Sequence, residues 1–214
     1  MLKKILKENY KYLIILLILI VFFCLLSKLN NFELFNEIDT YVSNLINNSF
    51  NKKYNKLFNF TSDFIGIYTL IFLLMCMFIG FNKKYYFLLA TSGYLFTVII
   101  SFISKVIISR PRPIIEIAAT IDPYSFPSGH TITSFVGYYF IAYMMSIKLD
   151  KKRKLAYYII ATILVTTVAF SRLYLGVHYF TDVMGGILFG TVILSMLINI
   201  VNKNFKRKLL WKEV

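Results

Sequence analysis

The chain has 214 residues, of which 58% are hydrophobic and only 16% charged, yet its formal net charge is +14. A mean hydropathy of +0.67 lies outside the range of ordinary soluble domains and marks an integral membrane protein. The lysines and arginines cluster between apolar runs and form no continuous basic face, which sets nucleic-acid binding aside.

The first apolar run, 12–29, follows Lys3, Lys4, Lys7 and Lys11. That order also suits a signal peptide, but Ser27-Lys28-Leu29-Asn30 is a poor cleavage site, so a retained membrane helix is expected. Residues 31–63 follow, where Leu34, Phe35, Ile38, Tyr41, Val42, Leu45 and Ile46 recur at helical spacing. An extracellular amphipathic segment lying on the membrane surface is expected there, and a helix capping the bundle fits equally well. Further runs at 64–81, 85–108, 131–147, 155–170 and 183–201 approach the ~17–25 residues that cross a hydrocarbon core. The expected fold is all-α: an integral membrane bundle of six transmembrane helices, forming one domain over residues 1–214. Cys24 and Cys76 fall in different runs and match no metal or redox spacing, so both read as packing residues.

With both termini on one side, that side collects 16 of the 24 basic residues, including Lys83, Lys84, the 148–154 cluster and the tail from Lys203. The positive-inside rule makes it cytoplasmic. The expected location is the cell membrane, multi-pass with both termini cytoplasmic, and the basicity is chiefly topological with some attraction to anionic lipid heads.

The unusual polar residues then gather at the opposite, extracytoplasmic face. Lys105 lies in the last turn of the third run, before Arg110-Pro111-Arg112-Pro113, whose prolines stop the helix. Pro127-Ser128-Gly129-His130 opens the fourth, Ser171-Arg172 closes the fifth, and His178 and Asp182 begin the sixth. His178 and Asp182 are spaced i, i+4 and share a helix face, so the carboxylate can orient the imidazole and leave its other nitrogen as nucleophile or base. Two histidines and an aspartate also suggest a metal. Lys105, Arg112 and Arg172 oppose that reading, since three cations repel a divalent ion and attract an oxyanion such as phosphate. The N-termini of the fourth and sixth helices add free N–H groups, Ser128 a hydroxyl and potential N-cap, and Gly129 a close backbone approach.

Lys105-(six residues)-Arg112-Pro113, Pro127-Ser128-Gly129-His130 and Ser171-Arg172-(five residues)-His178-(three residues)-Asp182 together resemble the type 2 phosphatidic acid phosphatase (PAP2) superfamily. That superfamily includes bacterial undecaprenyl-diphosphate phosphatases, phosphatidylglycerophosphatase B, glucose-6-phosphatase and vanadium haloperoxidases. The resemblance implies phosphoryl transfer through a phosphohistidine on His178, oriented by Asp182, with His130 as general acid and base. Lys105, Arg112, Ser128, Gly129 and Arg172 would bind the phosphate oxygens, with Arg110 a secondary contact that only the family spacing separates from Arg112. No metal and no cofactor are implied. Partners would be a lipid phosphate substrate and membrane lipids, with no nucleic acid and no obligate protein partner. Undecaprenyl diphosphate, phosphatidylglycerol phosphate and phosphatidic acid are the candidate substrates. An inert polar cluster leaves much positive charge buried without an anion. A non-catalytic binding protein or transporter for a phosphorylated lipid explains the cations but not the His178–Asp182 pairing. Vanadate-dependent chemistry would keep the same cage, but six membrane spans speak against it.

Overall fold

A computed structural model describes residues 2–30, 32–50, 52–65, 71, 84–113 and 123–210. Its helices are α1 (Leu2–Asn30), α2 (Glu33–Ser49), α3 (Asn55–Asp63), α4 (Lys84–Ile108), α5 (Gly129–Ser146), α6 (Lys151–Tyr174) and α7 (Phe180–Leu210), with one 3-10 turn at Lys52–Tyr54. The architecture is all-helical; among the described residues the sole β contact is an isolated bridge between Pro111 and Tyr124.

Four of the described helices are long and apolar enough to cross a membrane: Asn9–Lys28, Leu88–Ile108, Lys151–Tyr174 and Phe180–Lys203. The expected span at 64–81, with Cys76, lies mostly outside the described residues. The run at 131–147 forms α5, which does not reach the apolarity of those four. Its position explains why. α5 packs against α4, α6 and α7, and Thr131, Ile132, Ser134, Val136, Tyr138 and Phe140 are all buried. A helix surrounded by protein tolerates hydroxyls that find partners inside. Ser134 donates to the His130 carbonyl at 2.6 Å, Tyr143 to Asn202 at 2.6 Å, and Tyr138 to the Ile65 carbonyl.

Local sequence sets the helix ends. Asp150 caps α6, its carboxylate accepting from the Arg153 N–H at 3.0 Å. α4 ends on Ser109 in the left-handed region (φ 55°), where its hydroxyl returns to the Val106 carbonyl at 2.6 Å. The prolines that follow extend the chain, and Ser125 joins it through its N–H to the Arg110 carbonyl at 2.8 Å and its hydroxyl to the Pro111 carbonyl at 3.0 Å. The Arg110–Arg112 and Tyr124–Ser128 segments thus become neighbours.

The second of those segments is anchored by Phe126, which is fully buried with its ring against Phe23 of α1, Phe32 and Phe189 of α7. Two glycines on α7 admit it. A Cβ on Gly185 would lie 2.4 Å from the Phe126 ring, and one on Gly186 would lie 3.1 Å from the Ser128 carbonyl oxygen. Gly185→Ala is therefore expected to destabilise the protein by about 1–3 kcal/mol, the range for overpacking a filled core. Thermal unfolding in detergent checks this, with Phe126→Leu added to relieve the clash; an unchanged melting temperature for Gly185→Ala would contradict the close docking.

The 31–63 segment is helical but orients differently from its apolar pattern. Val42 and Ile46 pack around Tyr174, Leu175 and Val177, whereas Ile38, Tyr41 and Leu45 are exposed. The inward stripe of α2 runs through Phe35, Asp39, Val42 and Ile46, so a carboxylate sits in the middle of it. α3 packs on α6.

Candidate active site

Four segments meet at helix ends: the last turns of α4 and α6 and the starts of α5 and α7. Lys105, buried in the last turn of α4, donates from Nζ to the Tyr124 carbonyl at 3.0 Å. Arg112 donates from Nη1 to the Val177 carbonyl at 3.0 Å, and the same nitrogen lies 3.3 Å from His178 Nε2. A guanidinium has only donors, so this approach requires Nε2 to present its lone pair. The proton then sits on Nδ1, 3.4 Å from Asp182 Oδ2, a loose contact with no other partner for that nitrogen. His178 and Asp182 approach each other as expected, but not as two residues of one helix turn: His178 lies before α7, which begins at Phe180, and its Nε2 is on the arginine side.

Burial sets the charge state of His178. Loss of solvent is the main cause that brings its pKa from 6.5 down to about 4, helped by Arg172 and Lys105 and opposed by Asp182. At neutral pH the imidazole is uncharged.

His130 lies within electrostatic reach of Arg172, His178, Lys105 and Arg112. Its Nε2 is buried without a hydrogen-bond partner, 3.8 Å from Asp63 Oδ1. Arg172 donates from Nη1 to Ser62 Oγ at 2.9 Å and keeps a buried, unpartnered Nε. Ser128 is fully buried; its hydroxyl accepts from Thr131 at 3.0 Å and makes no cap bond to α5. Its N–H donates to the Asp182 carbonyl at 3.1 Å, tying this segment to α7. A Cβ on Gly129 would stand 3.4 Å from Ser101 Oγ and 3.9 Å from Lys105 Cε, so the missing side chain keeps the backbone open beside the lysine. The buried unpaired nitrogens of His130 and Arg172 are the kind of groups that a bound oxyanion satisfies. Among the described residues no three His, Cys, Asp or Glu side chains are grouped to hold a metal.

Two further placements differ from the sequence expectations. Arg110, expected beside the phosphate, lies behind Asp182 instead: Nη1 donates to Asp182 Oδ1 at 2.7 Å and to Thr181 Oγ1 at 2.8 Å, and Nη2 donates to Asp39 Oδ2 at 2.7 Å. The guanidinium is stacked between the rings of Phe32 and Tyr179, with centroids 4.2 and 4.1 Å away. With both terminal nitrogens engaged, it has been drawn off by carboxylates rather than left for a ligand. The N-terminus of α7, expected to offer free N–H groups, is likewise occupied. The Tyr179 N–H donates to Asp182 Oδ2 at 2.8 Å, as in the return half of a capping box, and the Thr181 N–H donates to Asp39 Oδ1 at 2.9 Å.

Asp39, Ser62, Asp63 and Thr181 reach this region without having been singled out in the sequence. Only Asp39 left a signal: an acid four residues after Phe35 and three before Val42 occupies an apolar stripe.

An all-helical bundle with membrane-length helices, carrying a histidine–aspartate pair beside clustered cations, defines the class. The chain belongs to the PAP2 superfamily, whose profile matches residues 84–206, more than half of it. It is 38% identical over 102 residues to phosphatidylglycerophosphatase B of Bacillus subtilis, covering 47% of this chain and 50% of that protein. It is 32% identical over 112 residues to lipid phosphate phosphatase delta of Arabidopsis thaliana, covering 46% of this chain and 27% of that one. The chain therefore spans half or less of the length of these curated relatives. The fold superposes on the crystal structure of the transmembrane PAP2-type phosphatidylglycerolphosphate phosphatase from Bacillus subtilis with a TM-score of 0.73 at 26% identity, covering 88% of this chain and 96% of that one. It superposes on LpxE of Aquifex aeolicus with a TM-score of 0.58 at 24% identity, covering 74% and 93%, a likeness of fold.

Proposed function

We propose that this chain is a membrane lipid phosphatase that hydrolyses a phosphomonoester or diphosphate on a lipid through a phosphohistidine. The observation that carries the reading is the His178 Nε2 lone pair held at an arginine, with an aspartate behind the ring. Nε2 attacks phosphorus, forming the N–P bond as the bond to the leaving oxygen breaks. His130 delivers a proton to that oxygen, then takes one from the water that attacks phosphorus and releases His178. Asp182 stabilises the positive charge that develops on the ring. Lys105, Arg112, Arg172, Ser128 and the Gly129 amide receive the non-bridging oxygens. A phosphate dianion offsets the cations around His130 and so favours its protonated form in the complex.

Both curated relatives are named as lipid phosphatases, which supports the substrate class; undecaprenyl diphosphate, phosphatidylglycerol phosphate and phosphatidic acid are the candidates. Turnover of these lipids by purified protein tests the reading, and tight binding without phosphate release would favour a binding protein or transporter. Because the cations supply the charge that magnesium or zinc supplies elsewhere, activity is expected to persist in EDTA and to be inhibited by vanadate. Loss in EDTA that returns with added zinc would overturn the metal-free mechanism.

The same reading places six spans across the membrane, with the termini in the cytoplasm and the site on the extracytoplasmic side. In protein lacking Cys24 and Cys76, a cysteine at position 51 is expected to react with an impermeant thiol reagent in intact cells, and one at 151 to be protected. The reverse pattern would move catalysis to the cytoplasm.

A further inference from the structure

We propose that Asp39 and Arg110 are positioning residues that act through Asp182 on His178, a role that rests on the phosphohistidine reading above. The four side chains form a continuous buried chain: Asp39, Arg110, Asp182 and His178 are each 4% exposed or less. The residues come from α2, from the segment after α4, and from the start of α7. Every recorded acceptor is matched. Asp39 Oδ2 takes the Arg110 Nη2 hydrogen bond and the Thr181 hydroxyl at 2.7 Å each, and its Oδ1 takes the Thr181 N–H at 2.9 Å. Asp182 Oδ1 takes Arg110 Nη1 at 2.7 Å, leaving Oδ2 to the Tyr179 N–H at 2.8 Å and to His178 Nδ1 at 3.4 Å.

Charge arithmetic gives each member a task. Arg110 alone beside Asp182 would make a neutral pair and cancel the field that His178 needs as its ring becomes cationic. Asp39 adds a second negative charge, so Asp39, Arg110 and Asp182 together sum to −1. The guanidinium fork pins the rotation of the Asp182 carboxylate, and Asp39 keeps that guanidinium from neutralising it. A buried ion pair kept only for stability would gain little over apolar residues of the same shape. Its attachment to the carboxylate behind the nucleophile is what assigns it to the reaction. α2 thereby contributes to catalysis without touching substrate.

The experiment compares native protein, Asp39→Asn, and Asp39→Asn combined with Arg110→Gln, each purified in detergent and assayed on a phosphatidyl-type phosphate, with monodisperse elution as the check on folding. Asp39→Asn leaves Arg110 unopposed, so kcat is expected to fall at least about tenfold with KM changed by less than about twofold, as for an interaction made in the transition state. The double variant restores the net charge of −1, and its kcat is expected to exceed that of Asp39→Asn by at least about threefold. A purely structural role predicts the opposite order. Native kcat in Asp39→Asn, or a folded double variant no faster than the single, overturns the proposal. If Asp39→Asn does not elute folded, the double variant is judged against native protein: kcat within about a hundredfold supports the charge argument, and a larger loss overturns it. Native turnover and its abolition in His178→Ala are read in the same assay. Their failure removes the phosphatase reading and this inference with it, whereas intact native turnover with a failed Asp39 series removes this inference alone.

Discussion

His178→Ala is expected to abolish turnover while the protein remains folded, with less than a few per cent of native kcat surviving. Neither side chain in contact with the ring can replace its nitrogen: Arg112 has only donors, and Asp182 faces the far side of the ring. The loss should fall on kcat, because the cations proposed to bind phosphate are untouched. His130→Ala should be nearly as severe for a lipid alkoxide leaving group and milder for a good leaving group, and it should let an acid-labile, base-stable phosphoryl label accumulate on His178. The pH profile carries a linked expectation. His178 is held down at about 4, so the neutral, attacking form persists from the alkaline side down to that value. Its protonation lowers kcat/KM only as pH falls through about 4, not through the ordinary 6.5. Retention of more than a few per cent of activity in His178→Ala would remove His178 as the nucleophile.

Lipid phosphates are expected to exceed glucose 6-phosphate in kcat/KM by at least a hundredfold, equivalent to ~2.7 kcal/mol of transition-state stabilisation. The placement of the site is the reason. Lys105 lies in the last turn of α4 and Arg172 in the last turn of α6, both membrane-length helices, while His178 lies two residues before α7. In the proposed topology a phosphate bound there would sit at headgroup depth, so a lipid would offer its phosphate while its tail stays in hydrocarbon. Shortening the acyl or prenyl chain should erode the advantage stepwise. Equal turnover of lipid and sugar phosphates would show that the membrane houses the enzyme without selecting its substrate.

Composition and short-range spacing were enough to define a helical membrane protein and to locate its motifs. Apolar runs of membrane length follow from the need to satisfy every backbone group inside lipid, a constraint each run meets by itself. The prolines after Arg110 and Arg112 end α4 wherever it packs. His178 lies before the first residue of α7, so its approach to Asp182 comes from the turn that enters the helix and not from a shared helix face. Other features depended on which segments pack together. Arg110 and Arg112 are two residues apart and chemically identical. One faces His178 and the other is captured by Asp39 and Asp182, 71 and 72 positions away. The capture satisfies the α7 N-terminus from within the chain, so those N–H groups are not left for a ligand. Gly185 and Gly186 look like ordinary helix residues until Phe126 and Ser128 are docked against them. α5 looks like any other span until three helices surround it and remove its need for an apolar exterior. Periodicity and stop signals are properties of neighbouring residues, but charge compensation and close packing are properties of pairs. Only the tertiary structure decided which carboxylate reached which cation.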